Sequence, residues 1–371
     1  MFDIQSIIIY LSLFTIMSLI ASKARKEDSW FYIIIAVLIY SIVFGMRYKV
    51  GVDYMSYFND YKYASFSTYN LMRTHYEPGF QFIMLTLIGF KAHFSWFFGV
   101  VAFLQLYLVF KSLKDDPDIY QFLVFTFIIG CVWLTYANGL RQQLAFCLFA
   151  YSLCFVEKNK WLLYYIIIAI SISIHNSATV LAIMYPILRY NEDWFKNINT
   201  KIQLLSLFIA IILGNIGIVQ KYFGLLETYA SFLGYGRFFS EAYDGAVYTP
   251  LERKGIGYYV TLLLNVILVA NSTRYKEYFD KKYVYYIYNL YFIGVLLFYS
   301  CMGSLFIWRL NYYFYGFAYI VGAYAILYAK NNSKYLYYSL VGMYMLIFIA
   351  TMYGNISNTS LFRFYWQVPG L

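Results

Sequence analysis

Charge is what this sequence has least of. Only 12% of its 371 residues are Asp, Glu, Lys or Arg, against 62% apolar residues, and its mean hydropathy is +0.59. A soluble chain of this length must cover its surface with polar side chains, so the composition excludes a soluble globular fold and leaves lipid as the main solvent. Histidine and cysteine are scarce too, at 3 and 4 residues. The cysteines, Cys131, Cys147, Cys154 and Cys301, all fall inside apolar runs without metal-ligand spacing, which reads as buried thiols rather than a disulfide or metal framework. No phosphate-binding glycine loop, dinucleotide fingerprint, His/Cys metal motif or nucleophile elbow occurs, which argues against ATP hydrolysis and redox chemistry. A cleavable leader is not expected either. Asp3 precedes the first apolar run, with no basic stretch before it and no small-residue cleavage site after it.

What is present is a succession of apolar runs. Polar breaks divide them into spans near 4–21, 30–46, 95–111, 120–137, 140–156, 161–176, 178–189, 202–220, 256–271, 283–301, 306–328 and 335–353, with one shorter stretch at 80–90. The predicted fold is an all-α integral membrane protein, a polytopic bundle of about 12 transmembrane helices plus a re-entrant or interfacial helix. It forms a single membrane domain, 1–371. The short stretch decides the orientation. If 80–90 does not cross and the N-terminus is outside, more than half of the 28 basic residues fall in inner connections, mostly short ones. If it crosses, fewer than half do. The first arrangement is therefore expected, with both termini outside. It also accounts for the net charge of +10 without a nucleic-acid partner.

That arrangement sorts the basic residues by type. The inner loops are rich in lysine, whereas the outer face keeps Arg47, Arg73, Arg141, Arg237, Arg253, Arg309 and Arg363. Arginine's planar fork suits bidentate contacts to phosphate, and an arginine-rich exterior runs against the orientation rule. An anionic ligand at the outer face is the reading this supports.

Several candidate residues sit on that face. The segment 47–77 reads as an external amphipathic stretch, with Tyr54, Tyr57, Phe58 and Tyr61 at helical spacing behind Asp53. Asp53 is either a helix cap or a carboxylate displayed beside sugar-stacking tyrosines. Tyr76-Glu77-Pro78-Gly79 marks a helix start, where Glu77 is either a cap or a site carboxylate. Arg141-Gln142-Gln143 opens a span, where three donors at a helix N-terminus favour an anion over snorkelling to lipid phosphate. His175 ends another span, as a satisfied polar residue or a catalyst. The connection 221–255 is long enough to act as a lid and holds Arg237 and Arg253.

In order, Arg47…Gly51-Val52-Asp53-Tyr54…Tyr57, then Glu77-Pro78-Gly79-Phe80, then Arg141-Gln142, then His175 resemble the EpsG-like branch of the Wzy-type bacterial polysaccharide polymerases. The likeness covers 40–180 by motif and the remainder by hydropathy. It implies a multi-pass enzyme of the bacterial cytoplasmic membrane, active at its outer (periplasmic or extracellular) face, with an architecture similar to the GT-C glycosyltransferases. Such enzymes polymerise oligosaccharide repeat units linked to undecaprenyl diphosphate. Donor and acceptor glycan lipids, membrane lipid, and a flippase and chain-length regulator of the same pathway are the implied partners. No cofactor is implied, and a metal-independent mechanism is favoured. Asp53 becomes the first candidate for general base, because enzymes of this kind place a carboxylate in an early external loop; Glu77 and His175 are its rivals. Arg47, Arg141, Gln142, Arg237, Arg253 and Arg309 would hold the diphosphate, and Tyr54, Tyr57 and Tyr76 would stack on sugar rings. Two other readings use much of the same pattern. A flippase would place polar sites near the midplane on broken helices, and an O-antigen-ligase-type transferase would move a finished glycan elsewhere.

Overall fold

The computed structural model describes residues 3–64, 76–217, 255–301, 305–354 and 360–368. Arg73, Arg237 and Arg253 lie outside them, as does the expected lid at 221–255 apart from Gly255. Within the expected 1–371 domain two compact units can be distinguished: residues 1–190 with 326–371, and residues 191–325. Each is described by itself.

In the first unit, α1 (Ile4–Lys26) starts where Asp3 accepts a hydrogen bond from Ser6 N at 3.0 Å, and its last turn holds Lys23, Arg25 and Lys26. Acid at the start and bases at the end complement the helix dipole. At 1.5 Å per residue this helix reaches roughly 34 Å, enough to cross a hydrocarbon core. It packs antiparallel to α2 (Trp30–Gly45). Two short helices follow, α3 (Tyr54–Ala64) and α4 (Pro78–Gly89), then the long α5 (Phe94–Ser112). Both ends of α4 meet α3: the Phe80 ring packs on Tyr57, and Tyr61 Oη donates to Ala92 O just past the helix. At 12 residues α4 reaches roughly 18 Å, short of the thickness of a hydrocarbon core.

The expected span 120–137 is two helices, α6 (Tyr120–Ile128) and α7 (Val132–Asn138), and the pair is bent by 69°. Cys131 takes a left-handed conformation at the bend, with φ 55°. The wholly buried Trp133 donates its indole N–H to Ile128 O at 3.1 Å, a carbonyl that also accepts from Cys131 N at 3.1 Å, so the bend is tied from both sides. Then come α8 (Leu140–Glu157) and α9 (Trp161–Ile174), packed antiparallel.

The next expected span, 178–189, is also not one α-helix. It is a 3₁₀ helix of 8 residues, Asn176–Ile183, followed by α10 (Met184–Tyr190) of 7. A 3₁₀ helix rises about 2.0 Å per residue against 1.5 Å for an α-helix, so this short stretch reaches roughly 26 Å. It returns the chain from Glu77 to Asn159, whose side chain accepts from Arg189 Nε at 3.2 Å.

In the second unit lie α11 (Thr200–Ile216), α12 (Ile256–Ala270), α13 (Ser272–Phe279), α14 (Lys282–Ser300) and α15 (Leu305–Tyr315), with the start of α16 (Ala318–Asn332). Helices α12 and α13 form a second bent pair, at 54°. The expected span 306–328 is broken between α15 and α16, at Gly316 and Phe317. Asn265 is the polar centre of this unit. Its amide donates to Tyr299 Oη and Tyr315 Oη at 3.1 and 2.9 Å and accepts from Tyr291 Oη at 2.8 Å.

Helix α17 (Lys334–Tyr353) belongs to the first unit again and leads to a C-terminal segment. Among the described residues, α1, α5, α14 and α17 are each long and apolar enough to cross a membrane, making six crossings if each bent pair counts as one. Helices α2, α4, α9 and α11 are shorter and apolar.

Candidate functional site

The first unit has two chemically different ends. At one, Arg25 pairs with Asp118 and Lys158 with Asp115, in the connections between long helices. At the other lie the start of α1, the end of α2, the start of α4, the α7–α8 corner, the end of α9 and the C-terminal segment. This second end gathers Asp3, Arg47, Asp53, Glu77, Arg141, His175 and Arg363. One part of it is built by the C-terminal segment. Strand β1 (Arg47–Tyr48) pairs antiparallel with β2 (Arg363–Phe364), Tyr365 N donates to Met46 O at 3.0 Å, and Arg363 binds Asp3 at 2.9 Å.

The segment from Arg47 to Asp53 is anchored from below. Arg47 is 1% exposed, and its guanidinium donates to Phe44 O at 2.6 Å, Ala137 O at 3.2 Å and Val50 O at 3.5 Å. Phe98 lies under it, 4.7 Å from the ring centroid. Burial pulls this group down to about 10, which leaves it cationic at neutral pH. Tyr54 is wholly buried as well, its ring stacked on Phe98 at 4.6 Å. Two sequence candidates thus face inward: Arg47 spends its donors on carbonyls, and neither ring face of Tyr54 is open. Gly51, at φ +96°, lies directly against the α7–α8 corner, where a Cβ would sit 3.0 Å from Ala137 O. Asp53 N donates to Asn138 Oδ1 at 2.8 Å. The outcome is an exposed Asp53 on a stapled loop, at the start of α3.

Glu77 and Arg141 form the centre of the site. Glu77 holds the N-cap position of α4, and Pro78 behind it enforces its extended backbone. Its carboxylate makes no capping bond. It accepts instead from Arg141 Nη1 at 2.5 Å and from Asn176 N at 3.0 Å, joining three helix ends. The pair is largely buried, with side chains 8% and 23% exposed. Tyr76 lies over the guanidinium, 4.7 Å from its ring centroid, and the Tyr57 hydroxyl hydrogen-bonds to Arg141 from α3. Arg141 Nε is buried and has no hydrogen-bond partner among the described residues. A buried, unpaired N–H costs on the order of 1–3 kcal/mol, so its presence marks a place for an acceptor.

His175 follows α9 and caps the 3₁₀ helix. Its Nδ1 accepts from Ser177 N at 3.3 Å and lies 2.7 Å from Ser177 Oγ. Accepting at Nδ1 puts the neutral ring's proton on Nε2. Gln142 is buried, 7% exposed. Arg309 is an exposed residue of α15 in the other unit. Three contributors were not singled out from sequence: Asn138, Asn176 and Asp60. Asp60 stands two turns beyond Asp53 on α3 and accepts a hydrogen bond from Tyr76 Oη. Its seven-residue spacing from Asp53 was the available signal. Among the described residues no group of His, Cys, Asp and Glu side chains is arranged to hold a metal ion.

The sequence matches the EpsG family across residues 30–365, which takes in every element of this site except the Asp3 pairing. The chain belongs to the EpsG family. Members are Wzy-type polysaccharide polymerase-like proteins, so this is a multi-pass, glycosyltransferase-like membrane protein of polysaccharide synthesis. No curated protein and no solved structure matches the sequence. In chemical terms the EpsG-family site offers an exposed carboxylate on an anchored loop, an imidazole bound through Nδ1 to Ser177, and an arginine already counterbalanced by Glu77.

Proposed function

We propose that this protein polymerises oligosaccharide repeat units carried on undecaprenyl diphosphate, at the outer face of the bacterial cytoplasmic membrane. The observation that carries the reading is Arg141: a cation gripped by Glu77, Tyr57 and Tyr76, with one buried N–H left for an acceptor. Lysine-rich connections at the opposite end of the unit fit an inward orientation of that end. In the proposed reaction Asp53 takes the proton of the acceptor hydroxyl. That oxygen bonds to the donor's anomeric carbon as the bond to the diphosphate oxygen breaks, and the diphosphate leaves with the bonding electrons. Arg141 then stabilises the charge that develops on the leaving group, the kind of preorganised donor whose loss typically costs about a hundredfold or more.

Three observations support Asp53 as the base in this reading. Glu77 is committed to Arg141 and Asn176 N, and His175 Nδ1 is engaged by Ser177. Asp53 is exposed, on a loop anchored through its backbone N–H to Asn138. Arg47 and Tyr54 serve the loop under Asp53, and Tyr57 and Tyr76 orient the cation. The transfer is written without a metal. A flippase that delivers the lipid-linked unit and a chain-length regulator are the protein partners this reading implies.

Cells carrying Asp53→Asn test it. The expected outcome is normal protein abundance, no polymer ladder, and single repeat units at the surface. Accumulation of lipid-linked units on the inner leaflet would indicate flipping, and long carrier-linked chains would indicate ligation. An intact ladder would remove Asp53 as the base.

A further inference from the structure

The proposed reaction uses Asp53 and Arg141 and leaves Asp60 without a task. Yet Asp60 is tied to the site by a specific path. It projects from α3, half-buried, and accepts the hydroxyl proton of Tyr76 in a hydrogen bond. The Tyr76 ring lies over the Arg141 guanidinium at 4.7 Å and is stacked on Tyr57 at 5.9 Å. Glu77 binds the guanidinium at Nη1, and Tyr57 hydrogen-bonds to it. Of these three contacts, the one made by Tyr76 is through its ring face, against the same guanidinium whose Nε is unpaired. The ring is packed against Tyr57 and Phe80, and its hydroxyl is tied to Asp60, which adds a polar restraint at its far end.

We infer that Asp60 is a positioning residue for the diphosphate of the lipid-linked substrate, acting through Tyr76 on the plane of the Arg141 guanidinium. The inference rests on the reading of Arg141 given above. Two electrostatic effects run in the same direction. A carboxylate acceptor makes the phenol hydrogen bond charge-assisted, stronger than a neutral one. It also enriches the ring in electron density, which strengthens the ring's hold on the cation. Burial, with Asp60 adding to it, pushes the Tyr76 hydroxyl well above the usual phenol range, so the proton stays on tyrosine at working pH. Asp60 thus adds its negative charge one residue away from the cation. There it restrains Arg141 without occupying the donors the substrate needs.

The test measures binding of undecaprenyl diphosphate itself to purified full-length protein in nanodiscs, for Tyr76→Phe, Asp60→Asn, Asp60→Ala, the Tyr76→Phe/Asp60→Ala double variant and Arg141→Ala. Tyr76→Phe keeps the ring and its packing and removes only the bond to Asp60. Each single change at Asp60 or Tyr76 is expected to weaken binding, by about tenfold for Tyr76→Phe and Asp60→Ala, the scale of one charge-assisted hydrogen bond. Asp60→Asn, which keeps an acceptor, recovers part of that loss. The double variant should be no worse than either of those singles, because both break the same link. Parent-like binding by Tyr76→Phe and Asp60→Ala, or losses that multiply in the double variant, would overturn the role of Asp60. Parent-like binding by Arg141→Ala would instead overturn the reading of Arg141 as the diphosphate's partner. The two failures are read from different variants.

Discussion

Replacing Glu77 with glutamine removes a charge and keeps a shape, which makes it the sharpest probe of the site. The carboxylate is 8% exposed and its partner Arg141 23%, with 2.5 Å between them. Removing one partner of a fully buried ion pair typically costs about 3–5 kcal/mol, because the other charge stays buried without compensation. Arg141 keeps some contact with solvent, which lowers the expectation to about 2–3 kcal/mol. Glutamine still accepts from Asn176 N, so alanine should cost roughly 1 kcal/mol more. For a unit of this size 2–3 kcal/mol corresponds to a fall in melting temperature of about 5–10 °C. Thermal unfolding of the purified protein in detergent reads this directly. A double-mutant cycle with Arg141→Gln should show that the second change costs much less once the first is made. A shift of under about 1 °C for Glu77→Gln, or additive losses in the cycle, would refute the claim that this pair joins the ends of α4, α8 and α9.

Two further outcomes are expected. Gly51→Ala places a Cβ 3.0 Å from Ala137 O at φ +96°, so it should destabilise by about 1–3 kcal/mol and lower polymer yield by displacing Asp53; parent-like melting and yield would show that the loop has room. The hydrogen bond from Arg363, with smaller help from Ser6, holds the Asp3 carboxyl below its usual range. A folded pKa below the unfolded one stabilises at higher pH, so the contribution is present above about 4 and is lost as pH falls through the folded value. Hydrogen exchange at the Phe362 and Tyr365 amides should therefore quicken below about pH 4 in the parent and be quick at all pH values in Asp3→Asn. Equal protection in the two proteins at neutral pH would contradict it.

How much of this was legible in the sequence depends on the range of the interactions. The helices are readable because hydrophobic runs are local, and Pro78 announces a start through its own backbone preference. The breaks at Cys131 and Gly316 were not, since apolar residues continue across both and only the backbone turns. The stretch 176–190 misled for a related reason: hydropathy counts residues, whereas a 3₁₀ helix covers more distance with fewer of them. Among the site residues Glu77, Arg141 and His175 are each recognisable in the sequence; the fold brings Glu77 and Arg141 into contact and adds Asn176, the neighbour of His175. Arg47 was read as a ligand because an arginine at a helix end ordinarily meets water. Its acceptors are carbonyls as far away as Ala137, and no local pattern encodes them. Tyr54 sits on the aromatic stripe that spacing identified, but spacing cannot say whether a stripe faces lipid, water or a neighbouring Phe98.

The buried arginine and the half-buried one divide the work in a way that residue type alone conceals. Arg47 gives its Nε and both terminal nitrogens to main-chain oxygens, so among the described residues of the cluster Arg141 is the arginine with a buried N–H left for an anion. Arg141 in turn is already neutralised by Glu77, with Asp60 close behind Tyr76. In the proposed reaction a dianionic diphosphate entering here must either share the guanidinium with Glu77 or displace the carboxylate. Sharing is favoured by the second bond Glu77 makes, to Asn176 N, which holds the carboxylate in place whether or not it keeps all of Arg141. An arginine held this way binds an anion less tightly than a bare one would, and that suits a polymerase. Uniform tight binding of the diphosphate would hold substrate and product alike, whereas a counterbalanced cation gains most when extra negative charge develops on the leaving group. The carboxylate beside Arg141 is thus consistent with catalysis that must release its carrier after every repeat unit.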